Sequence, residues 1–457
     1  MYWFSLTLFI LCIVFPLYHI IGAYFGRAKK PKYITKIATS EKGMSILIPC
    51  YNEESILQTT IHGMSSLQYN NYEIIFINDG STDQTMDVLI DLLSLEIKTD
   101  HLDIIEELSY RPIKGIYKSS KFPHVLVIDK VNGGKADSLN AGIAYASKEI
   151  VITLDADSIL EKQALSIINN AFIDSNVIAV GGNVHVLQGR KLENGKFVPS
   201  LSNMKQIVRF QILEYLRGFY ILKASLAKSN ALSIISGAFG AFDRKVLLEI
   251  GGYRDTIGED IDITLRIQQY ILKHKGLKVL FIPESICYTE VPESWQDLYK
   301  QRIRWQKAFM DCLVKYAGVF FRTVFTNRVS FFFILDSFLT GIMASFFTVY
   351  NMIVIIFIFL DIPLKGYILF LGFSLIVNLF YVVASLMIAH DYGHRYAKKD
   401  YFYIVITVIL EFLVYRFITL FIILIGSLAY FVKKDGWNKV ARTGRDYTIE
   451  KASNSSV

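Results

Sequence analysis

Three hydrophobic patterns follow one another along the chain. From Tyr2 to Phe25 the residues are almost continuously apolar, a length that crosses a hydrocarbon core of ~30 Å as helix. From Gly43 to about Glu290 short β-branched runs alternate with helical periodicity and turn signals, the pattern of an α/β domain with a mostly parallel sheet. The predicted strands are Ser45 to Pro49, Tyr72 to Asn78, His124 to Asp129, Ile150 to Asp155, Val177 to Val186 and Lys278 to Pro283. Between them Glu53 to Leu67, Thr82 to Leu93, Ala136 to Ala146 and Leu160 to Phe172 read as helices. Ser94 to Phe122 and Leu187 to Asn203 are weakly patterned and read as surface insertions, while Lys205 to Ala227 is helical and rich in aromatics. After Pro292, aromatics and basic residues alternate at helical spacing from Trp295 to Phe321, as in a helix lying in a membrane interface. Three long apolar segments follow, Phe331 to Leu360, Gly366 to Ala389 and Tyr401 to Val432.

The patterns divide the chain into a membrane helix (1–26), a basic linker (27–42), an α/β domain (43–290), interfacial helices (291–328), transmembrane or re-entrant helices (329–434) and a basic tail (435–457). Composition agrees with this mixture. Apolar residues make up 53% of the 457 residues, too many for an ordinary soluble enzyme, and 19% are charged, too many for a pure membrane bundle. The net charge of +7 comes from Lys and Arg clustered beside apolar runs, which fits membrane orientation better than a nucleic-acid partner. The basic cluster after Gly26 puts residue 27 onward in the cytoplasm, and Cys12, Cys50, Cys287 and Cys312 show no paired spacing that would indicate a disulfide framework or zinc. One N-terminal span and three later ones leave the tail outside, whereas its lysines and arginines argue for inside. Either Tyr401 to Val432, which carries Glu411 and Arg416, holds a broken or re-entrant element, or the charge rule fails for this tail.

Chemistry gathers at predicted strand ends. Ile150-Val-Ile-Thr-Leu-Asp-Ala-Asp157 delivers two carboxylates one residue apart, able to hold a hard divalent cation or a hydroxyl pair, or to serve as a strand end followed by a capping Asp. Pro49-Cys-Tyr-Asn-Glu53 puts an aromatic and a carboxylate at the mouth of a strand-to-helix turn, suited to a nucleobase and an anion or to nothing more than the turn. Asn78-Asp-Gly-Ser81 repeats the geometry with Asp79, and Gly133-Gly-Lys135 opens a helix suited to a diphosphate, without P-loop spacing.

The ordered set adds Leu139-Asn140, Ser236-Gly-Ala-Phe-Gly240, Gly258-Glu-Asp260 and Gln301-x-x-Arg304-Trp305. In this order the motifs resemble the processive family 2 inverting glycosyltransferases, the cellulose, hyaluronan and poly-N-acetylglucosamine synthases. Gly258-Glu-Asp260 followed by Tyr288-Thr-Glu-Val-Pro292 looks closest to the biofilm N-acetylglucosamine polymerases. The resemblance implies a GT-A-type cytosolic domain inserted between transmembrane helices. It implies Asp157 as ligand to Mg²⁺ or Mn²⁺, with Asp155 on the nucleotide or the metal shell. Pro49, Tyr51, Glu53 and Asp79 would hold uridine, and Lys135 the nucleotide. Asp260, beside Glu259, would be the catalytic base, Arg304 would neutralise the diphosphate, and Trp305 would stack on the acceptor sugar, with Gln301 completing that motif. Gly258 stands where related synthases carry Thr, so a hydroxyl contact to the acceptor is missing.

The expected reaction is polymerisation of a β-linked polysaccharide from a UDP-sugar, UDP-N-acetylglucosamine favoured, with export of the product. The expected partners are the donor, the growing polymer, the bilayer of a bacterial cell membrane and a small accessory membrane subunit, with no nucleic acid. Transfer of one sugar to a lipid carrier, or a non-enzymatic transporter or sensor with a nucleotide-binding module, are the competing readings.

Overall fold

The β-branched runs become the centre of a ten-stranded mixed sheet in the computed structural model, which describes residues 2–26, 40–98, 108–193, 196–358 and 364–432. The strands are β1 (Met44–Cys50), β2 (Tyr72–Asp79), β3 (Leu95–Ile97), β4 (Ile113–Ser119), β5 (Val125–Lys130), β6 (Ile150–Leu154), β7 (Ser158–Leu160), β8 (Val177–Val186), β9 (Arg190–Glu193), β10 (Lys196–Pro199), β11 (Phe239–Asp243) and β12 (Lys278–Thr289). Their order is β3-β4-β5-β2-β1-β6-β11-β8-β12-β7, with β9 and β10 as a separate pair. β5, β2, β1 and β6 run parallel, which is why β6 and nearly all of β1 are buried apolar runs rather than alternating ones. Each buried Ile or Leu there contributes about 1.5–3 kcal/mol over an exposed one. Because these strands are parallel, the C-terminal ends of β2, β1 and β6 share one edge, the edge where open α/β sheets bind ligands.

The weakly patterned stretches hold regular structure after all. β4 lies inside the first and pairs antiparallel with β5, and the paired strands β9 and β10 lie inside the second. β11 runs antiparallel between β6 and β8, and β12 extends past Pro283 to Thr289, with an irregularity between Ile282 and Ile286.

Among the described residues, those of 2–26, 199–233 and 292–432 pack as one unit and those of 40–198 and 234–291 belong to the other, so Lys205 to Ala227 groups with the helices although it interrupts the α/β stretch in sequence. Thr7–Gly26, Arg328–Tyr350 and Lys398–Val432 are long and apolar enough to cross a membrane. A further helix covers Leu364–Asp391. The Tyr401 to Val432 segment is not broken: it lies in one helical run with a π segment at Glu411–Tyr415. Glu411 does not break it because Arg217 of the Gln206–Arg217 helix forms an ion pair with it, and Arg217 also donates to Asn378 Oδ1 at 3.0 Å. A paired charge inside an apolar bundle needs no exit to water. His19 of the first helix is likewise engaged, with Asp336 Oδ2 at 2.9 Å and Ser225 Oγ at 3.0 Å. The basic linker, apart from its last residues, residues 359–363 and the basic tail lie outside the described residues.

Candidate active site

Lys135 is the first residue of the Lys135–Tyr145 helix, and its ammonium reaches three motifs at once. It lies 2.7 Å from Asp155 Oδ1 beyond the end of β6, 3.1 Å from Glu259 Oε1 at the start of the Glu259–Lys273 helix, and 3.4 Å from the carbonyl of Gly237. Burial works against this ammonium, but Asp155 and then Glu259 outweigh it and hold its pKa well above the usual lysine value. Gly237 makes the approach possible: a Cβ there would stand 2.8 Å from Lys135 Nζ and 3.3 Å from Glu259 Oε1. The Gly237 amide donates to Asp260 Oδ2 at 3.3 Å, and the Ile261 amide donates to Oδ1 at 2.9 Å. Two backbone donors thus orient Asp260 while Glu259 is paired with the lysine. Asp262, which sequence spacing leaves easily confused with Asp260, is buried and faces Arg266 at 3.9 Å, so its surroundings are those of the core.

Asp79 ends β2 and is almost sealed. Its Oδ1 accepts from Lys130 Nζ at 2.7 Å and from the Gly133 amide at 3.0 Å, and Oδ2 accepts from the Gly134 amide at 2.8 Å. Lys130 is fully buried and also meets Asp137 Oδ1 at 2.5 Å and the Val131 carbonyl at 2.7 Å, which saturates its three donors. Gly134 has φ +88°, a conformation that costs glycine little, and it turns the chain from this cluster into Lys135. Asp79, the glycine turn, Lys135, Asp155 and Glu259 therefore form one connected line, and the carboxylate of Asp79 shapes the loop.

Tyr51 is exposed beyond β1, in which Pro49 sits opposite Ile77 of β2. The turn that carries Tyr51 is stitched to the next strand end: Asn52 Oδ1 accepts from the Thr82 amide at 2.7 Å, and the Glu53 amide donates to Thr85 Oγ1 at 2.8 Å. Asp157 is 3% exposed; its Oδ1 accepts from Thr289 Oγ1 at 3.1 Å and Ser158 Oγ at 3.3 Å. Gln301, Arg304 and Trp305 lie on the Trp295–Thr323 helix of the helical unit. Gln301 is buried with Oε1 lacking a hydrogen-bond partner, and the half-exposed Trp305 ring receives the Arg302 guanidinium at 4.2 Å, which in turn pairs with Glu214 at 2.5 Å.

Several supporting residues carry no signal in the sequence pattern. Lys130 closes an ordinary apolar strand. Asn140 grips the Tyr253 backbone twice, donating to its carbonyl at 2.8 Å and accepting from its amide at 2.7 Å. Burial and then Glu259 push the Tyr253 hydroxyl far above the usual phenol range, so it stays protonated beside the cluster. Thr256, two residues before Gly258, has its hydroxyl buried without a partner.

The sequence model of glycosyl transferase family 2 matches residues 45–251, and that of glycosyl transferase family group 2 matches residues 150–432. The chain is 30% identical over 327 residues to a poly-beta-1,6-N-acetyl-D-glucosamine synthase of Staphylococcus epidermidis, covering 70% of this chain and 68% of that protein. To the same-named synthase of Staphylococcus aureus it is 28% identical over 326 residues, covering 69% and 67%. Among solved structures, a mannosyltransferase of Pyrobaculum calidifontis in complex with GDP-Man and Mn2+ superposes with a TM-score of 0.53 at 15% identity, covering 94% of this chain and 99% of that one. At that identity the likeness speaks for the fold alone, the GT-A type that the motifs imply. The family-group match by itself spans more than half of the chain, and the chain belongs to glycosyl transferase family 2.

Proposed function

We propose that the protein is a membrane-embedded inverting glycosyltransferase that polymerises a β-linked polysaccharide from a UDP-sugar, UDP-N-acetylglucosamine being favoured, and exports it through its helices. The α/β unit faces the cytoplasm in this reading, and the named relatives support the sugar. The observation that carries the reading is the Lys135 ammonium held between Asp155 and Glu259 with Asp260 beside them, all at the ligand-binding edge of the sheet.

Asp155 and Asp157 fit Mg²⁺ or Mn²⁺. Both offer hard carboxylate oxygens, and one or two carboxylates together with substrate phosphate oxygens and water are the ligand set that Mg²⁺ favours. Bound there, the ion would neutralise charge on the leaving diphosphate. Lys135, freed from a carboxylate, supplies further positive charge to the same group. Tyr51 stacks on the base from its exposed position, while Asp79 holds the loop beside it. Asp260, oriented by two amides, takes the proton from the acceptor hydroxyl as that oxygen attacks C1 from the face opposite the diphosphate. Gln301, Arg304 and Trp305 are assigned their shares in acceptor and diphosphate binding from their motif alone.

The test supplies membranes containing the full chain with a panel of UDP-sugars and follows UDP release and product size. UDP-N-acetylglucosamine is expected to give a long polymer, and Asp260→Asn is expected to lower the rate by about 10²–10⁴-fold. A single-sugar lipid product would overturn processivity, and unimpaired synthesis by the variant would overturn the assignment of the base.

A further inference from the structure

β7 is only three residues long and exists because the end of β12 pairs with it, Cys287 opposite Leu160, Tyr288 opposite Ile159 and Thr289 opposite Ser158. Directly opposed residues of an antiparallel pair project to the same face. The Thr289 and Ser158 hydroxyls accordingly converge on one atom, Oδ1 of Asp157, at 3.1 and 3.3 Å. Thr289 is 5% exposed and Ser158 is fully buried, so neither hydroxyl has water as an alternative partner. The rest of the loop is held independently of Asp157: the Ser158 amide donates to the Asp155 carbonyl at 3.0 Å, and Thr60 Oγ1 donates to the Ala156 carbonyl. The loop backbone would therefore keep its course without Thr289. What the threonine adds is the direction of one carboxylate.

We infer that Thr289 is a positioning residue for the divalent cation, acting through Asp157, which rests on the metal reading proposed above. A carboxylate bound to a metal through one oxygen is oriented by what its other oxygen accepts, and losing such a donor typically costs 10–100-fold in metal affinity. The strand end at Thr289 lies 132 residues from Asp157 in sequence, and the pairing of β12 with β7 brings them together.

The experiment uses the full chain in detergent, saturated with UDP, and titrates Mn²⁺ while the free ion is read by electron paramagnetic resonance, which needs no turnover. Thr289→Val, which keeps the shape and removes the donor, is expected to weaken Mn²⁺ binding about 10–100-fold, and Thr289→Ser, which restores a hydroxyl, to return it close to the parent value. Asp157→Asn is expected to lose the site. Normal Mn²⁺ binding by Thr289→Val, alongside loss in Asp157→Asn, overturns the proposal alone. Normal binding in both overturns the assignment of Asp157 as a ligand together with it. Should Thr289→Val fail to fold, Thr289→Ala removes the same donor with a smaller side chain; weakened Mn²⁺ binding supports the proposal, and unchanged binding overturns it.

Discussion

Two strand ends on the same edge of the sheet, separated by β1, carry aspartates that look alike in sequence and are built differently. At the end of β2, Asp79 is closed in: a fully buried lysine and two glycine amides occupy its oxygens, and the lysine is itself saturated. Beyond the end of β6, Asp155 has a side chain 34% exposed, and its partner Lys135 shares its charge with Glu259. A closed network of buried charges gives rigidity, and most of its hydrogen-bonding positions are already taken. An open one can exchange a lysine for a substrate group. In the proposed reaction Asp155 is the acid whose partner can leave, while Asp79 keeps its partner in place.

Removing the central cation from each end separates the two roles. Lys130→Met leaves Asp79 and Asp137 buried without their counter-ion, and breaking a buried pair in this way costs about 3–5 kcal/mol. For a unit of this size that lowers the unfolding midpoint by on the order of 10 °C. Lys135→Met at the open end is expected to lower the midpoint less than Lys130→Met does, because the Asp155 side chain it leaves behind is 34% exposed to water, while turnover falls. Thermal unfolding of the detergent-solubilised chain measures both, and a Lys130→Met midpoint equal to the parent's would erase the distinction.

The sequence made the open end legible and the closed end only half so. Asp155, Asp157, Lys135 and Asp260 stand in motifs whose order is read directly, and β1, β2, β6 and β8 are apolar runs that burial on both faces dictates. Lys130 is invisible to such reading, because its meaning lies in the pairing of β5 with β2, which brings it opposite Asp79. Thr289 is invisible for the same reason. β4 was obscured since its residues alternate irregularly at a half-exposed position near the sheet's margin. The long apolar segment holding Glu411 reads as broken because a charge in an apolar run has no evident partner; Arg217, far away in the chain, is that partner.

Crowding the open end without changing its charges tests whether free space there matters. Gly237→Ala puts a methyl within 2.8 Å of Lys135 Nζ, a flexible group that can move aside but then leaves Asp155 and Glu259 in altered geometry. Displacements of about 1 Å at reacting groups cost up to ~10²-fold, so a loss of turnover of that order is expected with an unfolding midpoint close to the parent's. Loss of stability without loss of turnover would place Gly237 with the closed network instead.

The mildest test of the comparison varies pH. Asp155 and Glu259 raise the Lys135 pKa above its ordinary value of about 10.4 despite the opposing effect of burial. A group whose pKa is higher in the folded state contributes stability fully below its unfolded value and loses it only as the pH climbs through the folded one. The difference in unfolding midpoint between the parent and Lys135→Met should therefore stay constant from about pH 6 to pH 9, and the parent's activity should show no alkaline limb from this lysine. A difference that shrinks between pH 7 and pH 9 would mean that the ammonium discharges there, and that the open end holds its cation more weakly than two carboxylates at 2.7 and 3.1 Å imply.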